Sequence, residues 1–152
     1  MPVEVGTVAP EFELRDQHRQ RVRLSDYRGR KNVLLVFYPF SFTSVCTGEL
    51  CTIRDELPAF QNDADQVLAI SCDSVYTQRV FADQEGLDYP LLSDFWPHGA
   101  VARAYGVFDD TIGAALRGSF VVDRAGIVRW TVVNALPDAR DVAAYQKVLA
   151  GL

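Results

Sequence analysis

The segment Asn32-Val-Leu-Leu-Val-Phe-Tyr38 is apolar at every position after its first. A strand exposed on one side alternates apolar and polar residues, whereas an unbroken run marks a strand covered on both faces, inside an α/β sheet. Gln66-Val-Leu-Ala-Ile-Ser-Cys72 has the same character. Between the two runs a helical period begins near Ser44, with Cys46, Leu50, Ile53, Leu57 and Phe60 on one stripe. Asp73 or Ser74 caps a second helix that runs to about Gln84 and ends at Gly86. A short strand at Tyr89–Ser93 and a short helix at Ala100–Tyr105 follow. Ser119–Asp123 and Ile127–Val133 form a hairpin, and Pro137 or Asp138 opens a C-terminal helix. With two short strands between Ala9 and Leu24, the order is β-β-β-α-β-α-β-α-β-β-α. The fold class is α/β: a mixed central β-sheet flanked by helices, with an N-terminal β-hairpin.

At 152 residues and 49% hydrophobic the sequence fits one domain, 1–152, without repeats or linkers. A net charge of −5 argues against a nucleic-acid partner. The run Val33–Phe40 is too short to span a membrane, so no membrane partner is expected. Met1-Pro2-Val3-Glu4 carries neither a basic nor an apolar leader pattern, so the expected location is cytoplasmic. Three cysteines in a reducing compartment suggest chemistry or burial, not a disulfide framework. Residues 15–31 hold seven Lys and Arg against two acids. Arg19, Arg21 and Arg23 project from one strand face, either a solvated surface or a docking patch for an acidic partner.

Cys46 stands where a buried strand gives way to a helix. The unpaired N–H groups and positive dipole end at such a place favour thiolate over thiol. Thr43, three residues earlier, can set a hydroxyl beside the sulfur, and Pro39 stiffens the approach.

Pro39-x-x-x-Thr43-x-x-Cys46 resembles the signature of the peroxiredoxins, thiol-based peroxidases with a thioredoxin-like fold. Val5-Gly-Thr-Val-Ala-Pro-Glu-Phe-Glu-Leu14, Asn32 to Phe40, Pro90-Leu-Leu-Ser-Asp94 and Arg117-Gly-Ser-Phe-Val-Val-Asp123 are similar to family segments in order and spacing. Leu91–Gly99 and Tyr105-Gly-Val-Phe108 resemble most the alkyl hydroperoxide reductase E subgroup. The resemblance implies hydrogen peroxide and organic hydroperoxides as substrates, no cofactor and no metal, a homodimer, and recycling by a thiol reductant such as thioredoxin or a mycoredoxin- or glutaredoxin-type protein. It makes Cys46 the peroxidatic nucleophile, oxidised to sulfenic acid. Thr43 would hydrogen-bond the peroxide, Pro39 would shelter the site, Arg117 would complete the pocket, and Glu49 would help orient an arginine.

Cys51 lies five residues after Cys46. In an intact helix their Cα atoms stand about 8.6 Å apart and their side chains diverge by about 140°. A disulfide tolerates about 7 Å, so a bridge requires the first turns to unwind, and Thr47-Gly48 makes that cheaper. Cys51 falls off the apolar stripe, and peroxiredoxins like bacterioferritin comigratory protein carry a resolving cysteine at this offset. The alternative is a one-cysteine peroxidase recycled by an external thiol, with Cys51 a packed residue. Cys72 reads as a packed strand cysteine, with a resolving role as the alternative, and His98 as a loop or packing residue. Trp96 and Phe42 are either core aromatics or the lining of an approach to Cys46. The rivals are weaker: residue 49 is Glu, so Cys-x-x-Cys is absent, and residue 52 is Thr, so Cys-x5-Arg is absent. A non-enzymatic peroxide sensor or a holdase on the same fold stays open, because a sensor also needs a reactive thiol.

Overall fold

The computed structural model of the chain describes residues 2–152, the side chain of Cys46 lying outside the described part. Its middle strand is β3 (Asn32–Phe37), buried at all six positions. Period-two alternation sorts that apolar run into two cores. Leu34 and Val36, continued by Tyr38, face one core, and Val33, Leu35 and Phe37 face the other. Each such side chain contributes about 1.5–3 kcal/mol on burial, which fixes the strand at the centre.

Around it stand β4 (Asp65–Ser71), β5 (Leu91–Ser93), β8 (Arg117–Val122) and β9 (Val128–Asn134), with β1 (Glu13–Arg15) and β2 (Arg21–Arg23) at one edge. The seven-stranded order is β2-β1-β5-β4-β3-β8-β9. β3, β4 and β5 run parallel, while β8 pairs antiparallel with β3 and β9. The N-terminal hairpin joins antiparallel at Arg15 opposite Ser93. Helices α1 (Ser44–Asp55), α2 (Val75–Glu85) and α4 (Val142–Ala150) supply the first core, with Leu50, Ile53, Phe81, Tyr145 and Leu149. The opposite face is closed by α3 (Ala100–Ala104), through Ala102, and by Phe12, Tyr105 and Val107. This is the mixed, helix-flanked sheet that the sequence leads one to expect. Among the described residues no helix is long and apolar enough to cross a membrane.

α2 starts at its Ser74 cap, which accepts from the Thr77 amide, and ends at Gly86 in the left-handed conformation (φ 66°). Elsewhere the boundaries shift for identifiable reasons. α1 stops at Asp55, and Leu57 begins a separate 3-10 turn with Pro58, which cannot extend an α-helix. α4 begins not at Pro137 or Asp138 but after Asp141, whose carboxylate accepts from the Ala143 amide. Arg19 is not on a strand face with Arg21 and Arg23, because it takes the left-handed turn position (φ 63°) between the two strands. A two-residue hairpin, β6 (Phe108–Asp109) with β7 (Ala114–Ala115), is too short to show any sequence period.

The register places the site. Val36 of β3 lies opposite Ser119 of β8. Two residues further toward that end of the sheet stand Tyr38 and Arg117, where β3 leaves for α1.

Candidate active site

Tyr38 keeps its ladder bond to the Ile70 carbonyl (2.9 Å), and buried Pro39, which has no amide proton to satisfy, turns the chain away. Phe42 then takes a left-handed φ of 70°, a conformation that costs about 1–3 kcal/mol for a bulky residue. Its ring packs edge-on against Phe81 of α2, with 5.1 Å between centroids. Thr43 is the extended N-cap of α1 (φ −95°, ψ 147°). Its hydroxyl does not cap the helix. It donates to the Phe40 carbonyl (3.0 Å), which commits the proton and leaves the oxygen an acceptor. The first turn of α1 has no acidic residue to neutralise its dipole. Cys46 is the third residue of that turn. Its backbone is helical, and its side chain lies outside the described residues.

One turn after Cys46, Glu49 points into the protein and is 5% exposed. Arg117, the first residue of β8, donates through Nη1 to Glu49 Oε1 (2.9 Å) and through Nε to the Leu136 carbonyl. Arg140 takes the rest of the carboxylate. Its Nε and Nη2 engage the two oxygens at 2.9 Å each, and its backbone amide donates to Oε2 at 2.6 Å. The remaining nitrogen of Arg140, Nη1, donates to Phe37 O (2.6 Å), Gly118 O (2.9 Å) and Ser119 Oγ (3.0 Å). Burial alone would raise the Glu49 pKa. The hydrogen bonds and charge of Arg140, then the charge of Arg117, outweigh it and hold the carboxyl below its ordinary value. Among the described groups, two guanidinium groups stand against one carboxylate, beside the positive end of α1. An anion such as a thiolate is favoured there.

The structure therefore brings Glu49 and Arg117 together next to the Thr43 turn, with Pro39 buried at its base. Sequence reasoning passed over Arg140. The available signal was a carboxylate at position 49, adjacent to the core residue Leu50. A buried carboxylate needs more than one partner, and Arg140 is the cation of the 136–140 loop.

Cys51 is half-buried on the opposite side of α1, where its thiol donates to Glu85 Oε1 of α2 (3.7 Å). Burial first, with the Glu85 carboxylate adding to it against the opposing charge of Arg54, raises its pKa. Cys72 follows β4 and is buried. Desolvation, then the charges of Asp94 and Asp73, push its thiol up to about 12. Trp96 is 82% exposed and Phe42 half-exposed, so neither is a core aromatic. His98 bridges its loop to the β6–β7 hairpin, with ring nitrogens 3.2 Å from Phe95 O and 2.7 Å from Gly113 O. Among the described residues no group of three or more His, Cys, Asp or Glu forms a metal-binding set.

Comparison with known proteins gives the family. Residues 5–131 match the AhpC/TSA family. The chain is 52% identical over 150 residues to alkyl hydroperoxide reductase E of Mycobacterium tuberculosis, covering 99% of this chain and 98% of that protein. Among solved structures, the reduced 2-Cys peroxiredoxin of Plasmodium vivax superposes with a TM-score of 0.88 at 31% identity, over 98% of this chain and 81% of the other. Peroxidoxin BcpB of Mycobacterium tuberculosis gives 0.86 at 33% identity, over 99% and 98%.

Proposed function

We propose, from the premise that this chain belongs to the AhpC/TSA family of peroxiredoxins and is a thiol-dependent peroxidase, that Cys46 is its peroxidatic residue and Cys51 resolves the oxidised form. The Cys46 thiolate attacks one oxygen of a hydroperoxide, the O–O bond breaks, and the departing alkoxide or hydroxide takes a proton. Sulfur is oxidised to sulfenic acid while the peroxide is reduced to alcohol or water. The Thr43 oxygen accepts the peroxide hydrogen, and Arg117 stabilises charge on the leaving oxygen. Glu49 and Arg140 hold Arg117 in place, and buried Pro39 keeps water from the turn.

Thiolate formation alone cannot supply the rate. Lowering a thiol pKa by about three units raises the thiolate fraction roughly thirtyfold at neutral pH. A Brønsted slope of about 0.4–0.5 removes roughly twentyfold of that in nucleophilicity. Speed must come from fixed donors around the breaking bond. The observation that carries the reading is the buried pair of arginines on Glu49, one turn from Cys46. The test is Arg117→Ala beside Arg117→Lys in single-turnover oxidation of Cys46. The account expects Arg117→Ala to lose about a hundredfold or more, beyond its change in thiolate fraction. A loss fully explained by thiolate fraction contradicts it.

In the second half, the Cys51 thiol gives up its proton and attacks the Cys46 sulfenic sulfur, and the S–O bond breaks as the disulfide forms. The departing hydroxide takes a proton and leaves as water. A cytoplasmic dithiol reductant of thioredoxin, mycoredoxin or glutaredoxin type then restores both thiols. A second copy of the chain is the proposed structural partner. Exposed Tyr76, Phe95 and Trp96 support this, lining a shallow cavity of about 430 Å³. Sedimentation equilibrium checks it: a dimer that Trp96→Asp dissociates is expected, and a monomeric parent chain contradicts it.

A further inference from the structure

Beneath the turn into α1 lies a second polar cluster that the chemistry above leaves unused. Asp73 sits between the end of β4 and the Ser74 cap of α2. One of its oxygens, Oδ2, accepts from the Ser41 amide (2.9 Å), the Ser41 hydroxyl (2.8 Å) and the Ser71 hydroxyl (2.7 Å). Tyr38 Oη stands 3.2 Å from Ser41 Oγ. Gln78 of α2 donates to Ser71 Oγ (2.9 Å) and to the Leu92 carbonyl (2.8 Å). The Ser93 hydroxyl donates to the Asp73 backbone carbonyl (2.6 Å), which ties β5 to the same residue but not to its carboxylate.

A single carboxylate thus holds the turn after β3, through Ser41, to the end of β4, through Ser71. What it holds is a strained turn. Ser41 immediately precedes Phe42, with its φ of 70°, and lies two residues before Thr43. A non-glycine residue stays in the left-handed region only where its surroundings over-determine it. Three contacts do so here: Ser41 on Asp73, the Phe42 ring on Phe81, and the Thr43 hydroxyl on the Phe40 carbonyl. Without the carboxylate, the Ser41 amide and hydroxyl both lose their acceptor. Phe42 is then free to relax and to carry Thr43 with it.

We propose that Asp73 is a positioning residue of the peroxidase site, acting through Ser41 to hold the turn that presents the Thr43 oxygen. The inference rests on the reading that Cys46 and Thr43 carry the peroxide chemistry. Its test compares single-turnover Cys46 oxidation by hydrogen peroxide in Asp73→Ala, Asp73→Asn, Thr43→Val and the Asp73→Ala/Thr43→Val double variant. Asp73→Ala should be slower by about ten- to a hundredfold, the scale of a small misplacement of a reacting group. Asn removes the same charge but keeps an acceptor oxygen, so Asp73→Asn should return to within about threefold of the parent. Once Thr43 has lost its hydroxyl, Asp73→Ala should cost no more than about a further threefold, because the two act as one unit.

A rate for Asp73→Ala within about twofold of the parent overturns the proposal. So does an Asn variant as slow as Ala, or losses that multiply in the double variant. If Asp73→Ala does not fold, Ser41→Ala takes its place, since it removes one of the three bonds and leaves the backbone bond. A loss of about threefold is then expected, and an unchanged rate overturns the proposal. Continued peroxide consumption by Cys46→Ser would instead refute the reading on which it rests.

Discussion

Glu49 and Cys51 are two residues apart on α1, about 200° around the helix, and their environments are opposites. Glu49 receives four hydrogen bonds from two buried arginines. Among the described residues Cys51 makes one weak hydrogen bond, to Glu85 on the neighbouring helix, and packs against the first core. The first face is held by buried ion pairs, and the second by core packing and single hydrogen bonds to α2, among them Arg54 Nη1 to the Glu85 carbonyl (2.6 Å). For the proposed Cys46–Cys51 disulfide to form, one cysteine must travel, and the buried ion pairs on Glu49 favour Cys46. Unwinding Ser44–Gly48 releases Cys46 and leaves Glu49 on its arginines, whereas moving Cys51 would break that cluster. Gly48 is the natural hinge, since glycine weakens a helix interior by about 0.5–1 kcal/mol.

The contrast breaks most visibly at Arg140. Arg140→Ala leaves the Glu49 carboxylate underpaired and should cost about 3–5 kcal/mol in urea unfolding. A loss under about 1 kcal/mol would mean that this face is not the anchor. The same cluster sets an acid limb. The folded pKa of Glu49 is lowered, so the unfolded chain binds the proton more readily. The stability it contributes is complete above its ordinary value of 4.5 and is lost as pH falls through the lower folded value. Urea midpoints should therefore decline below about pH 4.5, and Glu49→Gln should flatten that decline. An unchanged slope would count against the pairing.

Smaller effects sharpen the other face. A Cβ at Gly48 meets nothing within 4 Å, so Gly48→Ala stiffens the turn without a clash. Disulfide closure should slow by about two- to fivefold while Cys46 oxidation is unchanged. Equal closure rates would place the hinge elsewhere. Glu85→Gln removes the charge that helps hold the Cys51 thiol protonated, and should quicken closure by about twofold near neutral pH. Slower closure would make Glu85 an aid to resolution and not a restraint.

The sheet was legible because its central strand had to satisfy two cores at once. Val33–Phe37 could be apolar throughout for no other reason, and the Ser74 and Gly86 ends of α2 follow from local capping chemistry. The proposed nucleophile region was legible as a motif, since Pro39, Thr43 and Cys46 are close in sequence. Arg140 was not, because its partner is 91 residues away and its loop imitates a helix start. Pro137 and Asp138 are good first-turn residues, yet the chain delays α4 until Asp141, while Arg140 reaches back to Glu49 and Phe37. Asp73 was read only as a candidate cap. Ser74 took the cap, which left the carboxylate for Ser41. Leu57 kept the apolar period but not the helix, because Pro58 ended it first.

The most direct measurement is the intact mass of the reduced protein after one equivalent of hydrogen peroxide, with no reductant present. The account predicts the loss of two hydrogens, retained in Cys72→Ser and abolished in Cys46→Ser and Cys51→Ser. A stable gain of one oxygen on Cys46 would contradict the two-cysteine cycle, and an unchanged mass would contradict Cys46 as the peroxidatic residue.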